Sequence, residues 1–146
     1  MKTYIPQITL ALAVSLASGT AEPLSFNRDI RSILSENCFA CHGMDAKHRE
    51  AELRLDLPEG AFKKDKDGAS AIVPGKPDES KIWQRITATD PDDVMPPAES
   101  HKKLDASQKE IVREWIEQGA VYQKHWAFEA PMKPAAEGID HFVGEA

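Results

Sequence analysis

Phe26, Ile30, Ile33 and Leu34 stand at i, i+4, i+7 and i+8, a spacing that gathers four apolar side chains on one face of a helix. Ser25 or Asn27 can cap its start, and the pattern ends near Asn37. A second stripe, Leu104, Ile111, Val112, Trp115 and Ile116, marks the last strongly periodic stretch. There Asp105 is in the N-cap position, Gln108 in the capping-box position and Gly119 in the place of a C-cap. Between these two, Pro77-Asp78 predicts the start of a shorter helix that buries Ile82, Trp83 and Ile86. Leu53, Leu55 and Leu57 alternate with Arg54 and Asp56, the period of a short extended segment closed by Pro58 and Gly60. Residues 62–75 are charged and turn-rich. The pattern is that of a mainly α domain of three to four helices joined by long loops, with Trp115 packing on the first helix near Phe26 or Ile30.

Ten prolines and eight glycines lie along the chain with no fixed period, so neither a repeat array nor a low-complexity tract is present. At the start, Lys2 gives a positive n-region, residues 8–17 form an apolar run too short to span a bilayer, and Gly19-Thr20-Ala21 offers small residues before Glu22. Residues 1–21 therefore predict a signal peptide and an exported protein, periplasmic or extracellular. Thr9, Ser15 and Ser18 interrupt the run and no second hydrophobic segment follows, so a membrane enters only if the leader stays uncleaved. The formal charge is −6, and losing Lys2 with the leader makes the mature chain more acidic, which excludes nucleic acid as a natural partner.

The only two cysteines fall in one run, Cys38-Phe39-Ala40-Cys41-His42. C-x-x-C-H is the attachment pattern of a c-type haem: two thiols one helical turn apart reach two vinyl groups of one porphyrin, and the next residue lies beneath the ring. Cys38 and Cys41 are the attachment candidates, with His42 as the proximal iron ligand. The same residues are also compatible with a redox dithiol or part of a zinc site. However, the preceding residues read as a helix rather than a strand, and a zinc site needs further Cys or His ligands. For the distal position, Met95 stands in Asp92-Asp93-Val94-Met95-Pro96-Pro97, a run that each proline keeps extended. Its thioether suits haem iron, with an apolar anchor as the plain alternative. His48 and His101 are the competing distal ligands. Met44 is too near His42 to reach the opposite face.

This order of helix, C-x-x-C-H, loops, Met-Pro loop and capped last helix resembles a class I cytochrome c. More narrowly, Cys38-Phe39-Ala40-Cys41-His42-Gly43, Ala51-Glu52-Leu53-Arg54-Leu55-Asp56, Ile72-Val73-Pro74-Gly75-Lys76-Pro77, Met95-Pro96-Pro97 and His125-Trp126-Ala127-Phe128 resemble the N-terminal cytochrome domain of large secreted planctomycete proteins. The resemblance implies one covalent haem c on Cys38 and Cys41, ligated by His42 and Met95. It also implies a single-electron carrier with no catalytic side chain, serving a redox partner protein or a fused downstream domain. The domains then run as signal peptide 1–21, cytochrome c domain 22–119, aromatic and Pro-rich linker 120–137, and the opening of a truncated following domain 138–146. Tyr122, Trp126 and Phe128 are too aromatic for a free linker, so residues 122–128 are expected to lie back on the domain. A haem-based sensor or ligand binder, and a carrier serving an oxidative or hydrolytic enzyme, are the alternatives from other functional classes.

Overall fold

The computed structural model describes residues 22–124 and 126–128. The expected signal peptide, most of the linker and the opening of a following domain lie outside these. Among the described residues the chain is mainly α, and the β pairing is a single isolated bridge between Lys64 and Ser70.

The first helix opens as a π-helical turn, Phe26–Ile30, and runs on as α1, Arg31–Asn37. Its cap differs from the expected one. The Ser25 side chain does not cap; instead Asp29 reaches back, its Oδ2 accepting from the Ser25 N–H at 2.8 Å, while the Ser25 hydroxyl donates to Gln123 Oε1 at 2.8 Å. Asp29 lies in the first turn, where a negative charge meets the positive end of the helix dipole. Arg28 beside it holds its carboxyl below the usual carboxylate range. Cys38 (φ −123°) ends α1, and the chain turns at once into α2, Phe39–His42.

Leu53, Leu55 and Leu57 do not form a strand. Leu55 is buried at 3% exposure while Leu57 is 41% exposed, because the Leu55 N–H turns inward to the His42 carbonyl at 2.8 Å and Pro58 begins α3, Pro58–Ala61, directly after Leu57. The next helix also starts later than expected. Pro77–Glu79 is an isolated 3-10 turn, Ser80 is extended, and α4 spans Lys81–Thr87. The break buries the Ser80 hydroxyl, which accepts from Val73 N–H at 2.9 Å and donates to the Lys76 carbonyl at 2.8 Å. Ile82 and Ile86 are buried as expected, but Trp83 is only partly so. After a 3-10 turn at Ala98–Ser100, α5 spans Ala106–Glu117 and carries the expected capping box: Gln108 N–H donates to Asp105 Oδ1 at 2.7 Å, and Asp105 N–H donates to Gln108 Oε1 at 3.0 Å. Gly119 follows at φ +101°, a conformation that favours glycine just past a helix.

The first and last helices meet in the core, as the class I resemblance implies, and α4 packs on α5. Phe26, Ile30 and Leu34 share that core with Val112, Trp115, Ile116, Ile72, Ile86 and Leu104. Phe26 and Trp115 ring centroids are 5.7 Å apart. The loop after the Lys64–Ser70 bridge docks through Gly75, whose N–H donates to the Ile116 carbonyl at 2.7 Å and whose φ of +78° makes that approach natural for glycine. Among the described residues no helix is long and apolar enough to cross a membrane.

Candidate functional site

Cys38, Cys41 and His42 lie on one helical turn. The His42 and Cys41 N–H groups both donate to the Cys38 carbonyl, at 2.8 and 3.2 Å. Both thiols are free of any disulfide; Cys38 is half-buried against the core and Cys41 is exposed. The turn closes tightly over Gly43, where a Cβ would lie 2.3 Å from the Phe39 carbonyl oxygen, so a larger residue there would displace the end of the motif. His42 is half-buried, and its Nδ1 is buried without a hydrogen-bond partner. Burial lowers its basicity, against a weaker opposite pull from the backbone and charge of Glu50. The ring is therefore held toward the neutral form that binds metals.

Four consecutive carbonyls at the end of this turn are taken up by the segment that follows it. Glu50 N–H donates to Cys41 O at 2.8 Å and Leu55 N–H to His42 O at 2.8 Å. Arg49 donates from Nε to Gly43 O at 3.0 Å and from Nη2 to Met44 O at 3.0 Å. Leu55 is fixed in turn by Tyr122, whose hydroxyl donates to its carbonyl at 2.9 Å. Burial, the Asp56 charge and Cys38 keep the Tyr122 phenol un-ionised.

Met95 stands after α4, its N–H donating to the Arg85 carbonyl at 3.0 Å and its side chain 37% exposed. The Lys102 charge beyond it pulls the Cys38 thiol down, against the larger effect of burial. The two histidines that compete for the distal role are exposed. His48 holds Asp45 Oδ2 through Nδ1 at 2.7 Å, and His101 sits at φ +55° beyond the Ala98–Ser100 turn.

Two uncommitted thiols one turn apart and a neutral imidazole beside them are donors of the kind haem takes, and Met95 offers a soft thioether in a later loop. Residues 38–99 match the planctomycete cytochrome C family, and that stretch opens on Cys38 and closes just past Met95. Over that stretch the chain is similar to the planctomycete cytochrome C family. No curated protein and no solved structure matches it.

The surroundings of Cys38 do not favour a reactive dithiol. Burial pushes the Cys38 thiol up to about 11, whereas a reactive dithiol needs a depressed thiol pKa. Nor, among the described residues, do three His, Cys, Asp or Glu side chains gather as structural zinc requires. Arg49, Tyr122, Lys102 and the Leu55 N–H escaped the sequence reading. Arg49 and Leu55 fall in an irregular stretch where no period predicts a partner, and Tyr122 was expected to lie back on the domain but without a named partner. The close Leu-Arg-Leu-Asp spacing was the available signal, and it was read as a strand.

Proposed function

We propose that this is an exported c-type cytochrome domain that carries single electrons through one covalently held haem. Cys38 and Cys41 would hold the group by thioether bonds, His42 would take the proximal iron position and Met95 the distal one. A haem so held supplies a one-electron couple, the ferric iron gaining one electron and the ferrous iron giving it up. The chain's own part is to hold and orient. The short turn would offer both thiols to one porphyrin, burial keeps His42 neutral, and the loop carrying Met95 is pinned at its backbone by Arg85. A thioether opposite an imidazole favours a higher potential than two imidazoles do.

The observation that carries this reading is the pair of free thiols spaced by one turn, with His42 next in line, inside the stretch matched to the cytochrome C family. The soft thioether of Met95 in the proline-bounded loop supports it as the distal ligand, and the bond of His48 to Asp45 leaves that histidine engaged elsewhere. A redox partner protein, or a domain fused downstream, would exchange the electron.

Two measurements test it. Protein made in a host that matures c-type cytochromes should keep its haem in acidified acetone, and its pyridine haemochrome should show both vinyls saturated. Haem extracted into the solvent overturns covalent attachment. A weak charge-transfer band at the red edge of the oxidised spectrum should vanish in Met95→Ala, while its loss in His48→Ala or His101→Ala instead moves the distal role to that histidine.

A further inference from the structure

The segment at residues 49–55 does more to the motif than connect it to α3. A four-residue helical turn leaves its last carbonyls without intrahelical partners; that segment bonds those of Cys41 and His42, and also those of Gly43 and Met44 just past the turn. Two of the four go to a single side chain. Arg49 is half-buried, and its planar guanidinium spans the Gly43 and Met44 carbonyls with two roughly parallel N–H groups, both at 3.0 Å. Charge-assisted bonds of this kind are about twice as strong as neutral ones. The fixed fork holds both oxygens in one geometry, which the flexible Lys ammonium cannot do. The absence of a side chain at Gly43 lets the main chain turn so that both carbonyls converge.

We infer that Arg49 is a positioning residue for the iron ligand: its fork on Gly43 and Met44 fixes the backbone just past His42, and with it the rotation of the imidazole. Glu50 and Leu55, beside and beyond Arg49, grip the carbonyls of Cys41 and His42 themselves, so the brace acts on both sides of the ring's attachment point. The inference rests on the haem reading above. A permanent positive charge beside the residues that follow His42 would also favour the ferrous state of a haem bound there, a separate effect from orientation.

The two effects come apart in the full-length protein carrying Arg49→Lys, which keeps the charge without the fork, and Arg49→Ala, which keeps neither. Paramagnetically shifted proton resonances of the His42 ring in the ferric protein report its orientation, and voltammetry reports the potential. If Arg49 positions the ring, those resonances move in both variants, whereas the potential falls in Arg49→Ala and is largely kept in Arg49→Lys. Exchange of the Glu50 and Leu55 amide protons should quicken on the order of tenfold in both, the loss expected when one strong hydrogen bond goes. Ring resonances and amide exchange that stay at wild-type values in Arg49→Lys overturn the proposal and leave Arg49 only an electrostatic role; should Arg49→Ala not fold, Arg49→Lys alone decides. A wild-type chain that takes up no haem sinks the electron-carrier reading, and amide exchange then still shows whether Arg49 braces the motif.

Discussion

Ser80 is fully buried, and its hydroxyl bridges two backbone groups, accepting from Val73 and donating to Lys76. It thereby ties the loop that docks on α5 through Gly75 to the start of α4. Replacing it with Ala leaves an N–H and a carbonyl unpaired in a dry site, which costs about 1–3 kcal/mol. Thermal melting of Ser80→Ala should fall by about 4–8 °C for each kcal/mol lost in a domain of this size. The haem spectrum should not change, since Ser80 touches none of the motif; an unchanged midpoint would mean water replaces the hydroxyl. At this scale the sequence is legible where covalent chemistry fixes spacing, as at Cys38, Cys41 and His42. It is mute where a partner comes from tertiary structure. Ser80 gave no such signal, because Pro77-Asp78 predicted a helix start that puts it inside the helix, and its partners lie in the loop four and seven residues back.

Among the elements, α5 was readable to the residue because each of its signals is local: Asp105 and Gln108 cap it reciprocally, and Gly119 ends it. The first helix was readable in its apolar face but not in its start. Its π-helical turn holds one residue more than an α turn, so the group that reaches back to the Ser25 N–H sits at i+4, on Asp29, rather than at i+3 where a capping box places it. The two starts should therefore respond differently to substitution. Asp105→Ala should cost about 0.5–2 kcal/mol through loss of the cap. Ser25→Ala should cost less, because its hydroxyl bonds to Gln123 at an exposed position and not to the helix. Urea unfolding midpoints compared at constant m-value would rank them, and Ser25→Ala as damaging as Asp105→Ala would restore Ser25 as a cap.

The molecule as a whole is closed by a segment past the last helix, at Ala120 to Lys124. Ala120 is buried, and the Tyr122 ring lies 4.4 Å from Phe26, 5.3 Å from Trp115 and 5.7 Å from Phe62. Its hydroxyl reaches Leu55, while Gln123 and Lys124 accept from Asn27 at 2.9 and 2.7 Å. The expectation that this aromatic stretch lies back on the domain therefore holds at Tyr122, whereas Phe128 is exposed. Periodicity could not reveal this, because residues past Gly119 belong to no helix and their partners come from the opposite end of the chain. Tyr122 also links the two halves of the site's support: its ring seals the contact between the first and last helices, and its hydroxyl steadies the residue that holds the His42 carbonyl. A chain ending at Lys124 keeps all of these contacts and one ending at Gly119 keeps none, so the difference between them isolates the segment. Burying a large aromatic is worth about 1.5–3 kcal/mol, ring pairs add about 0.5–1.5 kcal/mol and the hydroxyl bond about 1 kcal/mol. The shorter chain should melt well below the longer one and show broadened His42 ring resonances. Tyr122→Phe should lose only the hydroxyl's share of stability yet still perturb the His42 resonances. Equal melting of the two truncated chains would show that the helices close the core without this segment.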